Sequence, residues 1–511
     1  MTDNKRVAKN TLVLYIRMFV TMAIGMWSTR LVLNALGFTD QGLYNVVGGF
    51  VGLFGLVTAS VSGSIMRFLT YEIGRKDNDA INRVLQNSIT VQWILGIIIL
   101  ILGETIGLWF VNNKLVIPND RIFAVNIVYQ FSIGSIFIEL ISSAQSALVI
   151  ANEKMRVYAA ISIIRSVLTL LIGIVLTFFG GDRLILYVAL VFSVSLGIRF
   201  FYTIYCKRSF SYLQFKFRLN KDLFIPIFKF AGWNSIGTTA GILRASGTSV
   251  LLNIFGGPIA NTINGIANSV SNIVTIFVGD FTTAYSPQIT KKYAAQEYTS
   301  LVPFLYQCSK FSFGLMSVMA VPIILNVKPL LILWLGKIPE GTINFVQLII
   351  IYALIECYSR PLITAQNATG NIKNYQIIVG GILLLTIPLT YFFLKLNLPI
   401  YFAYISIIIT SLGAFIARMI MLQGLIPFWD IKEFFFRVIV RTILSLAISF
   451  SFPAILHLWL PNNIYFTIIQ CFISFIWSCG SVFFIACNKH ERSEIIAMTR
   501  KIASKLIIKR G

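Results

Sequence analysis

Stretches of about 20 mainly apolar residues, the length a helix needs to cross a hydrocarbon core, follow one another along nearly all of this 511-residue chain. Reading them between charged or Gly/Pro/Asn breaks gives fourteen candidate helices, centred near residues 22, 55, 98, 136, 168, 195, 243, 274, 313, 356, 384, 410, 446 and 476. In lipid every backbone N–H and C=O must find its partner inside the protein, so runs of this kind commit the chain to a helical bundle. The composition agrees. Only 12% of residues are charged, against about 25% in soluble domains. The expected fold is all-α integral membrane, with fourteen transmembrane helices and no sizeable soluble domain.

Basic residues set the orientation. With both termini on the cytoplasmic side, 27 Lys or Arg fall in cytoplasmic segments and 6 (Lys114, Arg121, Arg183, Lys328, Lys337 and Lys395) in the opposite ones, the bias of the positive-inside rule. The net charge of +23 is thereby read as topology signal and anionic-lipid contact, with no nucleic-acid partner. The first apolar run carries Arg17 and Arg30 and no small-residue cleavage site, so it is read as a retained helix rather than a signal peptide. The basic segment 488–511, with Ile495, Ile496, Ile502, Leu506 and Ile507 among its charges, is expected to form an amphipathic helix on the inner leaflet.

The chain also repeats itself. Leu33, Asn34 and Gly37 recur as Leu252, Asn253 and Gly256, Asn45 as Asn264, and Asn152 and Lys154 as Asn371 and Lys373, all at an offset of 219. The repeat maps spans 1–6 onto spans 7–12. Each unit has an even number of spans, so the halves are parallel repeats about an axis along the membrane normal, the layout of alternating access. The expected organisation is an N-terminal lobe, 1–222, a C-terminal lobe, 223–430, two extra helices in 431–487 and the tail 488–511.

Several chemistries are excluded. His457 and His490 lie 33 positions apart, which leaves no histidine metal cluster or catalytic dyad of the usual kind. The six cysteines show no paired spacing, so no disulfide framework is inferred. No glycine-rich phosphate loop with a following Lys and Ser or Thr occurs. The chain is read as neither an ATPase nor any other enzyme, with no resident metal or cofactor.

What remains is the polar inventory inside the spans. Nine basic residues fall there: Arg17, Arg30, Arg165, Arg199, Lys229, Arg244, Lys310, Arg360 and Arg441. A charge at mid-span costs about 2.5–3.5 kcal/mol on insertion scales, so each must snorkel, pair or face water. Arg244, in the middle of the seventh span, is too deep to snorkel. Glu104, Glu139, Asp280 and Glu356 are the intramembrane carboxylates. Glu356 precedes Arg360 by four, the best order for a helical ion pair. Glu139 and Glu356, 217 apart, occupy similar depths in the two halves and read either as H+ or Na+ coupling sites, with Asp280, or as counter-ions to Arg17, Arg30 or Arg244. Asn261, Asn264, Asn268 and Asn272 share one face of the eighth span. They suit sugar hydroxyls in a wet lumen or, equally, interhelical hydrogen bonds. The matching face of the second span carries Gly42, Asn45, Gly49 and Leu53.

A basic N-terminus, a long first helix ending in Asn34, Ala35, Leu36 and Gly37, then Asp40, Gly42, Leu43 and Tyr44 before a Gly-rich second helix, resembles the polysaccharide flippases of the multidrug/oligosaccharidyl-lipid/polysaccharide exporter (MOP) superfamily. The resemblance covers spans 1–12. It implies a 6 plus 6 bundle around a V-shaped lumen, in the bacterial cytoplasmic (inner) membrane. The implied function is translocation of undecaprenyl-pyrophosphate-linked oligosaccharide units for surface polysaccharide such as the O-antigen of lipopolysaccharide. Membrane lipid, the lipid-linked glycan, a polysaccharide polymerase and glycosyltransferases are the implied partners. Such a cargo needs a cationic, hydrated lumen, for which Arg30, Arg244, Arg360, Arg17 and Lys310, with Asn264 and Asn268, are the expected binding residues. Two other branches compete: murein-precursor (lipid II) flippases, whose fourteen-span layout the extra helices resemble, and cation-coupled multidrug exporters. The first usually carries an arginine in the eighth span, where this chain has Asp280, and proton-driven members of the second an acid in the first span, where it has none.

Overall fold

The computed structural model describes residues 3–114, 117–211, 213–218, 220–335, 338–459, 463–489, 491–493 and 496–497. The tail positions Ile495, Ile502, Leu506 and Ile507 lie outside the described residues, as do the side chains of Asn45, Leu53, Asn253 and Asn261 and the glycines Gly42 and Gly49. All regular structure among the described residues is helical: α1 Asp3–Arg75, α2 Asn78–Leu102, α3 Leu108–Lys114, α4 Ile122–Ala151, α5 Met155–Phe178, α6 Arg183–Ser209, α7 Lys221–Ala294 and α8 Tyr298–Leu325. There follow α9 Val327–Leu335, α10 Thr342–Thr369, α11 Lys373–Leu384, α12 Thr386–Lys395, α13 Phe402–Gln423, α14 Ile431–Phe434, α15 Arg441–Trp459 and α16 Ile464–Ser481. Eleven segments of the described chain are long and apolar enough to cross a membrane. They match eleven of the fourteen expected centres. The other three, near 55, 243 and 274, fall in the remainder of α1 and in α7, both helical.

Each of the two longest helices carries two expected spans and breaks at a single glycine, Gly37 in α1 (φ 76°, ψ 173°) and Gly257 in α7 (φ 66°, ψ −167°). That region is open essentially to glycine alone. The second break corrects the repeat register, which pairs Gly37 with Gly256. Gly256 serves close packing instead, since a Cβ there meets Ala260 at 2.7 Å and Ile400 at 3.1 Å, whereas one on Gly257 meets nothing within 4 Å. Gly257→Ala should therefore cost about 1–3 kcal/mol, all of it backbone strain. The control Gly265→Ala, helical and with open space at its Cβ, should be neutral or stabilising by up to about 1 kcal/mol. Melting in detergent checks both, and equal melting of the two variants would contradict the strain assignment.

The chain forms two compact units, Lys9–Thr238, and Thr239–Gly511 together with Met1–Ala8. The division falls inside α7, beyond the expected boundary at 222, and α15 and α16 belong to the second unit. In the first unit α4 is the hub, packing on α2, α5 and α6. Leu140, Ala144, Leu148 and Ala151, at spacings of three and four, are fully buried and form its inward stripe. The segment between α6 and α7 is pinned to α2: Gln214 N donates to Asn82 Oδ1 (2.9 Å), Arg218 N to Thr90 Oγ1 (3.1 Å) and Asn220 N to Asn87 Oδ1 (2.8 Å). At the start of α6, Asp182 accepts from Leu184 N and Ile185 N as an N-cap and from Arg121 Nη1 at 2.8 Å, while Arg121 Nη2 reaches Asp40, just past the Gly37 break.

In the second unit α10 lies between α8 and α13, and α15 and α16 pack on α8 and each other. Phe313 stacks on Tyr358 at 4.5 Å, and the Tyr358 and Thr442 hydroxyls bond across α10 and α15. Serines line the joint between α15 and α16, with Ser445 and Ser481 Oγ 3.1 Å apart and Trp477 Nε1 donating to Ile448 O at 2.8 Å. Small hydroxyl residues let two helices approach closely where lipid supplies no hydrophobic drive.

Candidate functional site: two polar cavities

The second unit encloses a cavity of about 550 Å³. Its wall from α7 is set by helical periodicity: Asn264, Asn268, Ser271, Asn272 and Thr275 recur at spacings of three and four beyond the Gly257 break, with Arg244 and Thr248 before it. The facing wall repeats the device on α10, where Tyr352, Glu356, Arg360 and Thr364 stand four apart, and α13 adds Tyr404. Arg244 donates from Nη2 to Tyr352 OH at 2.9 Å and from Nη1 to Ser411 Oγ at 3.3 Å, and its guanidinium lies 5.3 Å from the Tyr352 ring centre. Both acceptors are neutral, so the guanidinium keeps its full charge. Tyr404 OH donates to Asn264 Oδ1 at 2.6 Å, and Asn268 Nδ2 donates to the same oxygen at 3.2 Å. The lining thus offers two guanidiniums, one carboxylate and a dense set of amides and hydroxyls.

The expected pair between Glu356 and Arg360 is not among the described ion pairs. Glu356 Oε1 instead lies 4.0 Å from Nη1 of Arg418. By sequence Arg418 belongs with the cytoplasmic basic residues, yet it is 4% exposed inside α13, donating to Ser359 Oγ at 2.9 Å and Tyr375 OH at 3.4 Å. A buried guanidinium demands a carboxylate more strongly than a half-exposed neighbour one turn away does, and so Arg360 is left to the cavity.

The first unit has its own cavity, about 710 Å³, lined by hydroxyls from α4 (Ser142, Ser143, Ser146), α5 (Tyr158, Ser162) and α6 (Ser195, Tyr202), with glycines of α1. Its charged groups are Glu139 and Arg165, both exposed to it. Gln92 Nε2 reaches into this wall to bond Ser143 Oγ at 2.6 Å.

The structure therefore gathers Arg244, Arg360, Asn264, Asn268 and Glu356 in one cavity and puts Glu139 in the other. The remaining candidates line neither. Arg17 lies 5.2 Å from the ring centre of Tyr158. Arg30 is exposed on α1, and Asp280 is buried on α7. Lys310 is 6% exposed and bonds both carboxylate oxygens of Glu491, at 2.6 and 2.8 Å, so its charge is spent on holding the segment after α16 and not on cargo. Lys310→Met should leave a buried carboxylate unpaired at a cost of about 3–5 kcal/mol, recovered in large part by adding Glu491→Leu. Melting of the single and double variants measures this, and simple additivity would sink the pair. Tyr352, Tyr404 and Arg418 are cavity or supporting residues that sequence reasoning misses. The first stands one helical turn before Glu356 and could have been found by that spacing, and no local pattern marks the other two.

No family model and no curated protein matches the sequence. Solved structures do. A MATE transporter in its straight conformation aligns with a TM-score of 0.71 at 13% identity, covering 83% of this chain and 96% of that one. The fold is that of the MATE transporters. A multidrug resistance MATE family transporter of the MOP superfamily, in an outward-facing conformation, aligns with a TM-score of 0.69 at 14% identity over 82% of this chain and 96% of that one. A MOP superfamily transporter from Pyrococcus furiosus, for which reverse polarity of the binding pocket is said to suggest a different function, gives 0.68 at 14% identity over the same shares. The MATE fold is a multi-pass helical membrane fold, in agreement with the apolar helices of this chain.

Proposed function

We propose that this chain is a membrane transporter whose second-unit cavity takes an anionic, hydroxyl-rich cargo, an undecaprenyl-pyrophosphate-linked oligosaccharide moved across the cytoplasmic membrane by alternating access for surface polysaccharide such as O-antigen. The observation that carries this reading is the pairing of two cavity guanidiniums, Arg244 and Arg360, with Asn264, Asn268, Tyr352 and Tyr404. Guanidiniums bind phosphate oxygens as charge-assisted forks, and amides and phenols suit sugar hydroxyls. The glycan head would travel through the cavity while the prenyl tail stays in lipid.

The second reading is a cation-coupled multidrug exporter, and the structural likeness favours it: the neighbours are MATE transporters, one of them described as a multidrug resistance transporter. Pocket polarity is the property on which the two readings part, as it was for the Pyrococcus furiosus neighbour. A lipophilic cation would meet two like charges in the second-unit cavity.

The fourteen-helix, two-lobe arrangement belongs to the same proposal. Both long helices carry one glycine break, and lining positions of the two cavities correspond: Gly52 with Ser271 and Gly63 with Thr282 at an offset of 219, Glu139 with Glu356 and Ser143 with Arg360 at 217. The basic bias supports both termini on the cytoplasmic side. In proteoliposomes the protein should move a short-chain, fluorescent prenyl-pyrophosphate sugar between leaflets and leave a cationic dye in place. Dye efflux without sugar movement would decide for the drug exporter.

A further inference from the structure

Among the described residues that line the second-unit cavity there is one carboxylate, Glu356, one turn before Arg360 on α10. At that spacing and order an acid and a base meet readily on a helix and neutralise each other. Here Glu356 faces Arg418 instead, at 4.0 Å. Arg418 is not part of the cavity lining. It is 4% exposed and is fixed by two hydroxyls, Ser359 on α10 at 2.9 Å and Tyr375 on α11 at 3.4 Å, which aim the fork so that Nη1 serves both Ser359 and Glu356.

We propose that Arg418 is a positioning residue for cargo selection: by engaging Glu356 it keeps that carboxylate off Arg360 and leaves both cavity guanidiniums to meet phosphate oxygens. The proposal rests on the anionic-cargo reading above. With Arg418 present, the Glu356 charge is balanced from outside the cavity, and the charge offered to a ligand is that of Arg244 and Arg360. Without it, the same carboxylate has Arg360 one turn away as its nearest basic neighbour on α10 and cancels half of that charge. A residue that touches no cargo thereby decides which sign of cargo the cavity prefers, through electrostatic complementarity rather than contact.

Titration of inorganic pyrophosphate into the purified full chain in lipid nanodiscs, followed calorimetrically, tests this in wild type, Arg418→Gln, Glu356→Gln and the double variant. Arg418→Gln should weaken binding by about tenfold or more, the scale of losing one cavity charge to a new internal pair. The double variant should return to within about threefold of wild type, because the two charges leave together. Arg418→Lys should fall between, since a point charge keeps the attraction but does not reach both hydroxyls. Should Arg418→Gln prove too unstable to purify, Glu356→Gln must bind at least as tightly as wild type and the double variant as tightly as wild type.

A merely structural arginine would give a loss that Glu356→Gln does not rescue. A double variant as weak as Arg418→Gln, or undiminished binding by Arg418→Gln, overturns the proposal while leaving the cargo reading in place. Wild-type protein that binds no pyrophosphate overturns both.

Discussion

Arg244→Ala should insert and fold at wild-type levels yet lose pyrophosphate affinity by about a hundredfold and, with it, glycan export. The size follows from the about 2–5 kcal/mol that truncating one member of a close charge pair costs. Folding is expected to survive because the partners of Arg244 are neutral hydroxyls, Tyr352 and Ser411, so no buried charge is left unpaired when it goes. Arg244→Lys should recover part of the affinity. An ammonium keeps the charge but reaches one acceptor at a time, where the fork reaches Tyr352 and Ser411 together. Tyr352→Phe gives a further check: it removes an acceptor and not a charge, so its loss should be smaller than that of Arg244→Ala, near the low end, about 1.5 kcal/mol, of a single charged hydrogen bond. Full export by Arg244→Ala, with surface levels unchanged, would remove this residue from the site.

The second large effect is expected at Glu139, and it is of a different kind. Glu139 is exposed to the first-unit cavity and takes part in none of the described ion pairs. Neutralising it should therefore leave melting within a few degrees of wild type. A carboxylate that carries H+ or Na+ must alternate between bare and occupied forms during the cycle, and glutamine cannot, so Glu139→Gln should hold transport in one state and abolish its dependence on an ion gradient. Glu356 is the contrast. Its partner Arg418 is buried, so the coupling energy to look for is between Glu356 and Arg418, not between Glu356 and Arg360 as the helical spacing suggests. Ion-driven transport by Glu139→Gln at wild-type rates across a pH series would end the coupling assignment.

Much of the helical framework was legible because it depends on local quantities. Run length and periodicity are written in single segments, and eleven of the expected centres coincide with apolar helices of spanning length. The breaks inside α1 and α7 were legible for the same reason: the first helix was expected to end at Gly37, where the chain turns, and only the repeat register, which pairs Gly37 with Gly256, missed the second break by one residue, at Gly257. The cavity wall was partly legible for the same local reason: Asn264, Asn268, Glu356 and Arg360 declare themselves by spacing along one helix. Pairings across helices did not. Arg418 meets Glu356 over 62 positions, and Lys310 meets Glu491 over 181. By sequence Arg418 counts with the cytoplasmic charges and Lys310 with the candidate cargo contacts, and only the tertiary packing that buries them forces each onto a distant carboxylate.

The polarity of the second-unit cavity is the claim on which the rest depends, and equilibrium binding to the purified wild-type protein addresses it most directly. Inorganic pyrophosphate and a lipophilic cation of similar charge magnitude are titrated separately at low and at physiological ionic strength. The account predicts that pyrophosphate binds, that its affinity falls as salt rises because two guanidiniums carry it, and that Arg244→Ala and Arg360→Ala each lose most of it while the cation binds weakly or not at all. Tight binding of the cation, undiminished by either arginine variant and with no measurable pyrophosphate binding, would contradict it.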